Sequence, residues 1–128
     1  RGINCLIPKK PGLSDNITGI SIVDRYLEHG RVYYFYHEGE EKIFLSSADW
    51  MVRNLHFRIE IAFPIYAEPL KKQVMDILEL QLNDNVKSRS INYLETNQYI
   101  SNVHRKKIRS QIETYKYFKE LNESLNEK

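Results

Sequence analysis

Two runs, Arg31-Val32-Tyr33-Tyr34-Phe35-Tyr36 and Lys42-Ile43-Phe44-Leu45, parted by Glu38-Gly39-Glu40, restrict what this chain can fold into more than any other stretch. β-Branched and aromatic side chains suit a pleated, half-buried surface, and a short glycine-containing break between two such runs reads as a β-hairpin. The hairpin also joins the two most chemically suggestive segments of the chain, one ending at Arg31 and one beginning at Leu45.

Around it the periodicity changes along the chain. Ile3 to Ile7 reads as a short buried strand, and Pro8-Lys9-Lys10-Pro11-Gly12 as the loop that ends it, because proline cannot continue a sheet ladder. Ile17, Ile20, Ile22 and Val23 indicate a second strand, with Asp24 to Leu27 a helical turn or a bent strand end. From Leu55 to Pro64, Phe57, Ile59, Ile61 and Phe63 alternate with Arg58, Glu60 and Ala62, the pattern of a strand with one wet or functional face. Leu70, Val74, Ile77 and Leu78 then recur at helical spacing, Pro69 suits a first turn, and the pattern fades at Asn83-Asp84-Asn85. Ser90 to Leu94 reads as a last short strand. A closing amphipathic helix from about Asn102 carries Val103, Ile108, Ile112, Tyr115 and Phe118 on one stripe, and the tail Asn122 to Lys128 is expected to fray. Strands, a helix and a closing helix make an α/β or α+β arrangement with the sheet covered on at least one side.

Composition excludes the extremes. With 128 residues, 41% hydrophobic and 28% charged, the chain is expected to form one ordinary soluble globular domain, residues 1–128, with no span for a membrane. The net charge of +2 is too small to argue for a nucleic-acid or lipid-surface partner, although its sign suits a polyanionic substrate. Cys5 is the single cysteine, cannot form an internal disulfide, and fits a reducing compartment. An apolar segment directly after Arg1, with no signal peptide, reads as an excised piece of a longer protein. A Gly-rich phosphate loop, metal-spaced cysteine pairs and a Gly-x-Ser-x-Gly elbow are all missing from the sequence.

Tyr26-Leu27-Glu28-His29-Gly30-Arg31 and Leu45-Ser46-Ser47-Ala48-Asp49-Trp50-Met51 carry the chemistry. Histidine moves protons near neutral pH, arginine grips phosphate oxygens with a planar fork, and hydroxyls with a carboxylate can hold an imidazole in one tautomer. That set points to phosphoryl transfer. Each residue also has a plainer reading: His29 as a surface hydrogen-bonding residue, Arg31 as the ion-pair partner of a nearby carboxylate, Ser47 and Asp49 as a turn with a side-chain cap. Arg53 and Arg58 suit a polyanion path, while Arg58 beside Glu60 equally suits an ion pair on one strand face. The Arg105 to Arg109 cluster reads as a solvated helix face.

Beyond residue types, the wording of the chain resembles the C-terminal part of bacterial polyphosphate kinases. The likeness includes Arg1-Gly2 before an apolar run, Leu13-Ser14-Asp15-Asn16-Ile17 and Ser21-Ile22-Val23-Asp24-Arg25-Tyr26-Leu27-Glu28-His29. It resumes at Leu45 to Met51, Arg53-Asn54, Arg58-Ile59-Glu60 and Asp84-Asn85-Val86-Lys87. The resemblance implies the second of two phospholipase-D-like domains facing each other across an active-site tunnel, hence an α/β fold with a phospholipase-D-like mixed sheet, flanking helices and a single domain. His29 and Arg31 stand where such a half-site has His-x-Lys, and Ser46-Ser47-Ala48-Asp49 is similar to its Gly-Ser-x-Asn element. Arginine replaces the lysine, Tyr36 meets the expected aspartate, and Asp49 stands for the asparagine.

The same resemblance implies an enzyme that reversibly transfers the γ-phosphate of ATP to inorganic polyphosphate through a phosphohistidine in the preceding domain. Carried over to this chain, His29 contacts ATP and serves in acid/base work, Arg1 and Arg31 contact the nucleotide's phosphates, and Ser47 and Asp49 support His29. Mg2+ is implied by the nucleotide, with its ligands outside this sequence. The implied partners are ATP and ADP, polyphosphate, the remaining domains of the enzyme and further copies of it in a homo-oligomer, without nucleic acid. The implied location is cytoplasmic, with peripheral attachment to the inner membrane left open. Two other classes stay in view: a phospholipase-D-type phosphodiesterase or nuclease half-site, and a non-enzymatic polyanion-binding module built on Lys9, Lys10 and the Arg105 to Arg109 cluster.

Overall fold

The computed structural model describes residues 6–100 and 106–126. Arg1, Cys5 and most of the expected first strand therefore lie outside the described residues, as do Val103 and Arg105. The described residues group into two compact units: one is Leu27–Val74 with Leu6 and Ile7, the other Pro8–Tyr26 with the described residues from Met75 onward.

In the first unit, β2 (Val32–His37) and β3 (Glu40–Ser46) form the hairpin, and β4 (Ala62–Pro64) adds to the other edge of β3. The hairpin register runs from Val32 opposite Leu45 to His37 opposite Glu40, so the connection is only Glu38-Gly39. Both residues have positive φ, 50° and 88°. Two successive residues of that kind give a turn whose twist matches the flanking strands, which is why glycine is wanted at the second. Opposed residues share a face: Tyr34 lies against Ile43, which is 1% exposed, and Val32 against Leu45. On the reverse face Phe35 and Phe44 meet edge to face at 6.0 Å.

The strand expected from Leu55 to Pro64 is much shorter. Arg53–Phe57 forms a single π-helical turn, and only Ala62–Pro64 pairs with β3. β3 ends at Ser46, and beyond it the pairing continues by a single bond, Ser47 N–H to Ile61 O, so Phe57 and Ile59 fall outside it and stand 81% and 100% exposed. Pro64 then closes β4, as suits an edge.

In the second unit, β1 (Gly19–Ile22) pairs antiparallel with β5 (Ser88–Ile91). Gly19 is required there, since a Cβ would sit 2.8 Å from the Pro8 ring and 3.2 Å from Ile91 Cβ. Helix α1 (Glu68–Leu82), expected from its spacing, begins in the first unit and ends in the second. Helix α2 spans Ser110–Asn126. It starts later than the stripe from Asn102 suggests, because Asn85 holds the preceding segment away from helical geometry: its N–H donates to Ile108 O, its side-chain amide donates to Lys106 O, and Ile108 N–H donates to its Oδ1. At the other end the helix runs on to Asn126, past the point where fraying is expected.

Asp84 ties this unit together. Its carboxylate is buried and accepts from the N–H groups of Val86, Lys87 and Ser88 through Oδ1 and from Ser110 N–H through Oδ2, joining the end of α1, the start of β5 and the first turn of α2. Helix N-termini leave N–H groups without intrahelical partners, and a carboxylate is their natural acceptor. The α/β class thus holds. The described strands are antiparallel throughout, in a two-stranded and a three-stranded sheet.

Candidate active site

The open end of the hairpin gathers the residues singled out by their chemistry. Ser46 N–H donates to Arg31 O at 2.9 Å, which extends the pairing one step beyond the start of β2 and sets Arg31 opposite Ser46, the end of β3. The chain then turns, and Asp49 comes back to Arg31. Arg31 Nε donates to Asp49 Oδ1 at 2.6 Å and Nη2 to Oδ2 at 3.0 Å, a two-point pairing of fork with carboxylate. The Arg31 hydrogen bonds hold the Asp49 carboxyl below its ordinary range against partial burial, helped by the charges of Arg31, His29 and Arg53. The same pairing raises the Arg31 guanidinium.

Of the five N–H donors of a guanidinium, this pair takes two, and Nη1 reaches His29 O at 3.4 Å. Donor capacity remains for a phosphate oxygen, and the side chain keeps 22% of its surface open to solvent. His29 is exposed, two residues away, on a stretch without strand or helix structure. Gly30 between them has open space around it: a Cβ there would meet nothing within 4 Å.

Ser47, expected to support His29, has the Glu60 carboxylate as its hydrogen-bond partner. Its hydroxyl donates to Glu60 Oε2 and accepts from Ile61 N–H at 3.1 Å, while its own N–H donates to Ile61 O at 3.0 Å. Asn54, buried within the π-helical turn, donates to Glu60 Oε1 at 2.7 Å. Hydrogen bonds from Ser47 and then Asn54 lower the Glu60 carboxyl, with Arg58 and Arg31 adding Coulombic support. Glu60 is therefore gripped by Ser47 and Asn54, with Arg58 acting at longer range instead of as a paired neighbour. Asp49 orients Arg31, and its link to the His29 imidazole is Coulombic. Asn54 and Glu60 form a network that no sequence periodicity announces, since their partners come from different turns of the chain.

Elsewhere, Arg109 is not a solvated helix residue. It precedes α2, and its Nε and Nη2 donate to the two oxygens of Asp24 at 2.8 and 2.5 Å. Lys9 Nζ donates to Asp15 O at 2.9 Å, and Lys106 and Lys107 are exposed.

Among the described residues no group of three or more His, Cys, Asp or Glu side chains is placed to hold a metal ion. Of the site's carboxylates, Asp49 is engaged by Arg31 and Glu60 by Ser47 and Asn54, so these two do not form a donor set that fits magnesium. No helix among the described residues is long and apolar enough to cross a membrane.

Comparison with known proteins gives this arrangement a family context. The sequence model described as polyphosphate kinase C-terminal domain 2 matches residues 1–111. A polyphosphate kinase of Escherichia coli O6:H1 is 49% identical over 124 residues, covering 97% of this chain and 18% of that protein. One from Klebsiella pneumoniae is 50% identical over 121 residues, covering 94% and 18%. The crystal structure of polyphosphate kinase from Porphyromonas gingivalis superimposes with a TM-score of 0.89 at 45% identity, over 96% of this chain and 19% of that one. The chain thus spans 18–19% of the length of these relatives.

Proposed function

From the premise that this chain belongs to the polyphosphate kinase C-terminal domain 2 family, we propose that it supplies one cationic wall of a site where the γ-phosphate of ATP passes reversibly to inorganic polyphosphate. The observation that carries this reading is the Arg31–Asp49 pairing beside an exposed His29. Phosphoryl transfer spreads negative charge over equatorial oxygens, and its catalysis is chiefly positioned positive charge. A guanidinium already locked by a carboxylate meets that need without reorganising.

His29 contacts the nucleotide's phosphates and moves a proton as required, Arg31 and Arg1 hold phosphate oxygens, and Asp49 fixes the Arg31 fork. Ser47 supports the same wall through Glu60. The phosphohistidine belongs to the preceding domain of the longer enzyme. Magnesium comes with the nucleotide and takes its ligands from outside the described residues. We assign the enzyme to the cytoplasm, with ATP, ADP, polyphosphate and further copies of itself as partners and no role for nucleic acid.

The test is a full-length polyphosphate kinase carrying His29→Ala. Polyphosphate synthesis from ATP should fall by about two orders of magnitude with an unchanged thermal melt, the usual scale for losing an acid/base group. Synthesis at the parent rate would reject the role.

A further inference from the structure

Resting on the reading of His29 just given, we propose that Gln111, assisted by Arg109, is a positioning residue that clamps the backbone from which the His29 segment departs.

β1 ends its pairing at Ile22, opposite Ser88, so the chain from Val23 onward has no strand partner. Side-chain burial does not replace it: Tyr26 is 66% exposed and Leu27 85%. What fixes this stretch is polar and comes from the start of α2. Gln111 Nε2 donates to Tyr26 O at 2.7 Å and Tyr26 N–H donates to Gln111 Oε1 at 3.1 Å, so a single side-chain amide satisfies both backbone groups of one residue, as a neighbouring strand would. Two residues earlier on each side, Arg109 takes both oxygens of Asp24, whose side chain is 2% exposed. Asp24 Oδ1 also accepts from Arg25 N–H at 2.8 Å. Asp24 and Tyr26 are thus held at alternate positions by Arg109 and Gln111. His29 follows Tyr26 by three residues, so the clamped backbone is the one directly preceding the segment that carries it.

Backbone positioning of this kind acts on how phosphate-binding groups meet their substrate, so its loss reads out as weaker productive binding more than as unfolding. Gln111 sits half-buried in the first turn of α2, and alanine there favours the helix.

The experiment uses full-length polyphosphate kinase with Gln111→Ala, Gln111→Glu and His29→Ala, alone and with Gln111→Ala combined with His29→Ala. Gln111→Glu keeps an acceptor for Tyr26 N–H and loses the donor to Tyr26 O. For Gln111→Ala we expect Tyr26 amide exchange at least about tenfold faster, KM for ATP raised about fivefold, kcat changed less, and the melt unchanged. Gln111→Glu should fall between it and the parent, and Gln111→Ala should add nothing on top of His29→Ala. Faster exchange with unaltered kinetics, or unaltered exchange, overturns the clamp. So does a global rise in exchange with Gln111→Glu, which would mark a purely structural role. If His29→Ala leaves synthesis intact, the site reading fails; if only the Gln111 variants behave as the parent, the clamp fails by itself.

Discussion

Asp49 grips Arg31 through both carboxylate oxygens, at 2.6 and 3.0 Å, and thereby fixes the orientation of the one guanidinium that stands two residues from His29. Asp49→Asn should keep the shape of this pair while removing one charge-assisted contact. In the full-length enzyme kcat for polyphosphate synthesis is expected to drop about tenfold while the melting temperature stays within about 2 °C, because partly exposed ion pairs add little to stability. Steady-state kinetics beside a thermal melt decides it; a large loss of stability with unaltered kcat would show the pair to be structural.

The turn between β2 and β3 places Glu38 at φ 50°, where side chains other than Asn, Asp and Gly are strained. Glu38→Asn should stabilise the chain by roughly 0.5 kcal/mol, whereas Glu38→Pro, unable to reach positive φ, should destabilise it by more. Urea midpoints measured on both variants provide the comparison, and a stabilising proline would contradict the turn geometry.

Asp84 accepts four backbone N–H groups from a buried position. Replacing it with alanine leaves those donors without a partner, and a loss of roughly 3 kcal/mol follows. Asparagine retains one carbonyl acceptor and should cost less. Denaturant titration with an unchanged slope is the readout.

Acid sensitivity follows from the same groups. Burial opposes the charge on Asp84, yet the N–H groups of Lys87, Ser110 and Val86 outweigh it and lower the carboxyl below its ordinary 3.8. Asp24 is lowered chiefly by its hydrogen bonds from Arg109, and Asp49 by those from Arg31. A carboxyl depressed in the folded state stabilises fully above its unfolded value and loses that contribution as pH falls through the folded one. Stability should therefore be flat with respect to these three groups above about pH 5 and decline steeply below 3.8. Added salt should weaken the Asp24 and Asp49 parts and spare that of Asp84, whose partners are backbone dipoles. An Asp84→Asn variant with an unchanged acid limb would refute this division.

Gly30 has free space where a Cβ would go. Gly30→Ala should fold as well as the parent or slightly better, since it narrows the unfolded ensemble. A several-fold fall in polyphosphate synthesis with an intact melt would locate substrate against this backbone. Unchanged kinetics would place substrate elsewhere.

Much of the local architecture was legible because it is written in periodicity. The aromatic and β-branched runs around Glu38-Gly39 and the spacing of Leu70, Val74, Ile77 and Leu78 are satisfied by the elements they announce. Phe57 and Ile59 alternate as strand residues do yet stand outside the pairing that takes in Phe63, because alternation describes a residue's neighbours in sequence while a strand needs a partner in space. Val103 and Ile108 continue a helical stripe, but Asn85 competes for the backbone of Lys106 and Ile108. At the candidate site, the Arg31–Asp49 pairing is a contact that chemistry already suggested, Arg31 being readable as the partner of a nearby carboxylate. Glu60 as the partner of Ser47, 13 residues apart, and Gln111 as the partner of Tyr26, 85 apart, could not be read in this way, because polar contacts across such intervals leave no repeating signal.

The row from Phe57 to Phe63 has a practical corollary. With Ile59 wholly bared and Phe57 nearly so, these 128 residues taken alone present water with a greasy ridge beside a short edge strand. Purified by themselves they should form concentration-dependent oligomers and bind apolar dyes, and Ile59→Lys should render them better behaved without touching the hairpin.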